Sequence, residues 1–136
     1  MRVVVPLLLV ALLAAACGGG GSTTREAQTA VVITLWPDGP DKGSPKTARV
    51  VCDPQSGNLP DIAAACTTLA SKPGRAALEP VPIDRMCTEL FGGPATARIV
   101  GTVDGEAVDA RLSRVNGCEI ERWHALAALL PAYQPA

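Results

Sequence analysis

From Thr29 onward the chain breaks into short runs whose apolar and polar positions alternate or cluster. "TAVVITLW" (Thr29–Trp36) is β-branched and apolar, and a strand there puts Val31, Ile33 and Leu35 on one face. "PDGPDKGSPK" follows as a loop, its prolines and glycines set among charges. "TARVVC" (Thr47–Cys52) predicts a second strand, and "DPQSGNLP" a turn region. "PDIAAACTTLA" (Pro60–Ala70) predicts a helix. Its proline is tolerated in the first turn, Asp61 suits the N-terminal end, and alanines supply propensity. Ile62, Cys66 and Leu69 recur at helical spacing and face inward. "SKPG" ends that helix, and "RAALEPVPIDR", with Pro80 and Pro82, reads as extended, irregular chain.

"ATARIVGTV" (Ala95–Val103) and "AVDARLSRV" (Ala107–Val115) are two further strands around Asp104-Gly105, a strong short-range hairpin signal. Val108, Ala110 and Leu112 alternate with Asp109, Arg111 and Ser113, giving one buried and one partly wet face. "NGC" closes the hairpin. In "EIERWHALAALLP", Trp123, Leu126 and Leu130 repeat at helical spacing and predict a short C-terminal helix. The expected fold class is α+β: an antiparallel sheet of four to five strands with two helices packed on one face.

One stretch fits no element. "MCTELFGGP" (Met86–Pro94) sets Met86, Leu90 and Phe91 among polar residues, with Cys87 upstream and glycines and a proline behind. As structure, the apolar side chains would plug a sheet edge. As function, an extended segment is being offered to a partner.

The region before Thr29 has another character. Arg2 precedes "VVVPLLLVALLAAA", which has the length of a signal-peptide core and is short for a membrane span. It runs into Cys17, and small residues before a cysteine fit lipoprotein processing. Ordinary secretion is the alternative. "GGGGSTTREAQ" then reads as a flexible tether. The expected division is a signal peptide over 1–16, a lipidated Cys17 with linker over 17–28, and a domain over 29–136. That places the domain outside the cytoplasm, lipid-anchored to the membrane or envelope.

Cys52, Cys66, Cys87 and Cys118 are an even set in an exported chain, which favours two disulfides. Three pairings are open, and spacing alone does not choose. Without a C-x-x-C, a zinc site or redox dithiol is disfavoured, and no metal or cofactor is called for. Net charge is −1 with no basic stripe, which argues against a nucleic-acid partner. Candidate catalytic groups are equally thin. His124 is the only histidine. Pairing it with Cys87 as base and nucleophile spends a cysteine that the disulfide count needs. A Glu79/Glu89 carboxylate pair would need a cleft that a chain this short cannot wall. Asp104 belongs to its turn, and Trp36 and Trp123 suit packing. The expectation is therefore a protein that is not an enzyme.

The cysteine framework, with spacings of 14, 21 and 31 residues, together with "PDIAAACTTL", "MCTELFGG" and "NGC", resembles the Streptomyces subtilisin inhibitor family over about Val31 to Cys118. The resemblance implies the pairing Cys52–Cys66 and Cys87–Cys118, a five-stranded antiparallel sheet with two helices, and a homodimer formed through the sheet. It implies substrate-like inhibition of an extracellular serine protease through a reactive loop. The family's reactive bond lies two residues after the third domain cysteine, between Glu89 and Leu90 here. Glu89 would enter the primary specificity pocket. Met86, Cys87 and Thr88 would lie on the non-primed side, Leu90, Phe91 and Gly92 on the primed side. Asn116 matches an asparagine that props the loop by hydrogen bonds.

The sequence also departs from that family. Glu89 stands where well-known members carry Met or Lys, which points from subtilisin-like enzymes toward a glutamate-specific target. The Gly92-Gly93 pair looks one residue long and could loosen the loop. "WHALAALLP" replaces a β-rich tail, leaving the source of the fifth strand and the dimer open. Two readings follow: an envelope-tethered serine protease inhibitor, or a non-inhibitory lipoprotein using the same scaffold for binding or structure.

Overall fold

The computed structural model describes residues 27–40 and 42–131. The signal segment, Cys17 and most of the linker lie outside them. Five strands form one antiparallel sheet: β1 (Thr29–Trp36), β2 (Lys46–Cys52), β3 (Ser56–Gly57), β4 (Thr96–Val103) and β5 (Glu106–Leu112), in the order β3-β2-β1-β4-β5. β1 is central. Its Ile33 sits opposite Ala48 of β2 and Ile99 of β4. Residues of β1 alternate strictly between buried and half-buried, as the period-2 pattern requires when one face is covered. Val31, Ile33, Leu35, Ala48, Val50, Ala97, Ile99, Val103, Ala110 and Leu112 line that covered face.

The cover is helical. α1 (Ile62–Ala70) contributes Ala65 and Leu69, and α2 (Lys72–Leu78) contributes Ala77 and Leu78. α3 (Gly117–Ala125) contributes Trp123 and is followed by a 3-10 turn (Ala127–Leu129); Leu126 and Leu129 are fully buried. The α+β class and the one-sheet layout agree with the sequence reading.

Three details differ. First, "SKPGRAAL" does not leave helical structure. Ser71 closes α1, its N–H donating to the carbonyls of Thr67 and Thr68, and its hydroxyl accepts the Gly74 N–H to open α2. Pro73 falls in the first turn of α2, where its missing N–H costs nothing. Only the prolines after Glu79 stop the helix. Second, the fifth strand comes from the 53–60 turn region, as the two-residue β3 paired with Val50 and Val51. Third, the C-terminal helix that the sequence predicts already begins at Gly117, capped by Asn116, and β5 ends at Leu112 rather than Val115.

The hairpin expectation holds. Val103 and Glu106 pair directly across Asp104 and Gly105, both with positive φ, the geometry that Asp-Gly turns favour. Asp104 also forms an ion pair with Arg75 of α2. On the outer sheet face, Arg98 and Asp109 form a two-pronged ion pair at 2.7 and 2.8 Å. The hydrogen bond from that guanidinium holds the Asp109 carboxyl below its ordinary range.

Burial separates the two faces energetically. Ile33→Ala should lower unfolding free energy by about 2–5 kcal/mol, read by denaturant titration. Val100→Ala on the outer face, where the side chain is exposed, should stay within about 0.5 kcal/mol. Equal losses would contradict a one-sided core.

Candidate functional site

Between α2 and β4 the chain runs from Glu79 to Ala95 without helix or strand. The prolines at 80 and 82 keep it from continuing α2, and a turn closes with the Arg85 N–H donating to the Pro82 carbonyl at 3.0 Å. The chain then crosses the start of α3. Here, among the described residues, several large apolar side chains stand exposed together. Met86 is 95% exposed, Leu90 64% and Phe91 68%. Thr88 and Glu89 between them are exposed too. None of these side chains plugs the sheet edge, so the structural alternative raised by the sequence does not apply. Exposed large apolar groups gathered in one segment mark an interaction surface rather than a folding role.

An unfastened loop with this composition would collapse onto itself. This one is fastened on both sides of the Glu89–Leu90 bond. On the upstream side, Cys87 is bonded to Cys118 in the first turn of α3, with the Cα atoms 5.4 Å apart. Next to it the Gly117 N–H donates to the Thr88 carbonyl at 2.9 Å. Arg85 reaches Glu121 of α3 at 2.8 Å, an exposed pair worth at most about 1 kcal/mol. On the downstream side, the Gly92 N–H donates to the Arg114 carbonyl at 2.7 Å. Cys52 and Cys66 form the second disulfide, which ties β2 to α1 away from this loop.

These two hydrogen bonds orient what lies between them. In a trans peptide the carbonyl and the following N–H point in opposite directions. The Thr88 carbonyl is turned in toward α3, so the Glu89 N–H is turned out. The Gly92 N–H is turned in, so the Phe91 carbonyl is turned out. An extended partner segment therefore meets one outward donor before the Glu89–Leu90 bond and one outward acceptor after it, a pattern suited to added-strand pairing.

Gly92 is not a loosening element. A side chain on it would come within 3.0 Å of Ile120 and 3.2 Å of Arg114 Cβ, so the glycine lets the loop lie flat against α3. The pliable geometry is at Gly93, whose φ of +116° turns the chain toward β4. Asn116 does sit at the foot of the loop. Its side-chain oxygen accepts the Glu119 N–H at 3.0 Å and caps α3. The bond to the loop in that corner comes from its neighbour, Gly117.

α3 is itself held firmly. Arg122, almost buried, donates to the carbonyls of Ala77 and Arg111 and to the Glu119 carboxylate, joining α3 to α2 and β5. Trp123 is buried with Arg114 over its ring. His124 lines the shallow groove between loop and helix with Leu90, Ile120 and Glu121. It has no thiol to activate, because Cys87 is in a disulfide. No cluster of His, Cys, Asp or Glu among the described residues could hold a metal ion.

The sequence reading named the segment Met86–Gly92 but not the exposed Ile83 beside it, and it missed Gly117, Ile120, Glu121 and the Arg114 carbonyl as supports of the segment. The available signal was Asn116 followed three residues later by Glu119, a helix-start pattern.

Compared with known protein families, residues 15–116 match the family described as subtilisin inhibitor-like. The matched stretch ends at the residue that caps α3. No curated protein matches the chain.

The Cys87–Cys118 bond closes a 31-residue separation. Replacing both cysteines with alanine should cost about 2–4 kcal/mol in denaturant unfolding. It should also open the Arg85–Met86 bond to trypsin. Unchanged stability and resistance would contradict its role as the upstream fastening.

Proposed function

The chain belongs to the subtilisin inhibitor-like family, and from that premise we propose that it is a serine protease inhibitor whose reactive bond is Glu89–Leu90. The observation that carries the reading is an exposed, apolar-rich segment fastened on both sides of that bond, with the Glu89 N–H and Phe91 carbonyl facing out. A protease would bind residues 86–92 as it binds a substrate, through main-chain hydrogen bonds with Glu89 in its primary pocket. The loop's prior order reduces the entropy lost on binding. If the bond is cut, the disulfide and the Gly117 bond keep the upstream end in place while the Gly92 bond holds the downstream end. The new amine then stays beside the acyl group, and religation competes with release.

Glu89 sets the target. An apolar pocket would have to strip water from its carboxylate without replacing it, at a cost of several kcal/mol. A protease that selects glutamate supplies the missing partner. By the same reading Cys17 carries a lipid that tethers the inhibitor to the outer side of the membrane or envelope, and the outer sheet face around Val100 is the surface for a homodimer.

The test is a panel of serine proteases against the purified protein. A glutamate-selective enzyme should be inhibited tightly, with slow cleavage at Glu89–Leu90 detected by mass spectrometry. Glu89→Gln should weaken that inhibition by about 30-fold or more, the loss expected when one partner of a buried charged contact is removed. Glu89→Met should shift preference toward subtilisin-like enzymes. Rapid cleavage after Glu89, or no effect on any enzyme, would leave the non-inhibitory binding domain as the reading.

A further inference from the structure

We propose that Gly117 is a positioning residue for the loop: its missing side chain gives Thr88 its seat on the first turn of α3, and that seat aims the Glu89 N–H outward. The inference rests on the reading of residues 86–92 as the reactive loop. Gly117 acts on the reactive bond only through Thr88, to whose carbonyl its N–H donates.

The space is specific. A Cβ built on Gly117 would lie 2.0 Å from the Thr88 hydroxyl oxygen, 3.3 Å from its Cβ and 3.6 Å from its backbone nitrogen. The approach to the Thr88 Cβ asks for only a few tenths of an ångström, but the hydroxyl contact is far inside van der Waals distance, and a β-branched residue has few rotamers in which to turn it away. One of the two backbones must then move. α3 cannot easily yield, since Cys118 is bonded and buried, Trp123 is buried, and Arg122 joins α3 to its neighbours. The loop would move, lengthening the 2.9 Å bond from the Gly117 N–H to the Thr88 carbonyl.

Helix formation gives no reason for this glycine. Gly117 is the first residue of α3, and intrinsic propensity favours alanine over glycine in a helix by up to about 1 kcal/mol. Its backbone is not in the left-handed region either. What the glycine supplies is room, next to the residue that precedes the reactive one.

The experiment is a two-residue cycle on the purified protein, with Gly117→Ala made alone and together with Thr88→Ala. Two quantities are read: the inhibition constant against the enzyme it inhibits best, and the hydrogen-exchange rate of the residue-117 amide in the free protein. Gly117→Ala should weaken inhibition by about 10- to 100-fold, the scale of a misplacement near 1 Å. It should speed exchange by a similar factor without lowering the thermal midpoint. In the Thr88→Ala background, where the clashing hydroxyl is absent, the same change should cost less than about threefold in either quantity. Equal losses in both backgrounds, or no loss in either, would overturn the proposal. If the unmodified protein inhibits nothing, the inhibitor reading falls, and the exchange rates alone still decide whether Gly117 seats Thr88.

Discussion

The structure depends on the way one helical turn is fastened to one exposed segment. Residues 117, 118, 120 and 121 of α3 meet the loop through a backbone hydrogen bond, a disulfide, a packed isoleucine and an ion pair. Their strengths are unequal. The ion pair is exposed and contributes little. The disulfide restricts the chain most, because it acts on unfolded as well as folded states. The hydrogen bonds add less energy but decide direction, and direction determines which main-chain groups a partner can reach. The core makes this arrangement possible at a distance. Burial of one sheet face under three helices fixes α3, and α3 fixes the loop.

A small domain that displays Met86, Leu90 and Phe91 to water gives up burial that could have stabilised it. It can do so because the crosslinks and the β1-centred core supply order elsewhere. The polar surroundings follow the same economy. Arg122 spans three partners inside the helical layer, while exposed charges such as Arg98 and Asp109 pair on the opposite face. Stability and display are thereby kept in separate parts of the molecule.

Much of this was legible in the sequence, because the relevant signals are local. Strand alternation in residues 29–36, the Asp104-Gly105 hairpin, and the mismatch of "MCTELFGGP" with any element can be read without knowing what packs where. The disulfide pairing was legible only through family resemblance, since three pairings satisfied the count. The misreadings came from competing local rules. "SKPG" does stop α1, but Ser71 also caps a second helix, so "RAAL" is helical rather than extended. Asn116-Gly117 resembles a turn, yet it opens a helix. The apparent looseness of Gly92 and the role of Gly117 depend on side chains from distant segments, Ile120 and Thr88, which no local pattern announces.

The claim on which the account stands is that residues 88–92 are ordered in the free protein, before any partner arrives. Backbone 15N relaxation tests this most directly. The account predicts order parameters near those of the strands, about 0.85, for the amides of residues 88 to 92. Values below about 0.6 across that segment, with β1 and β4 still rigid, would contradict it.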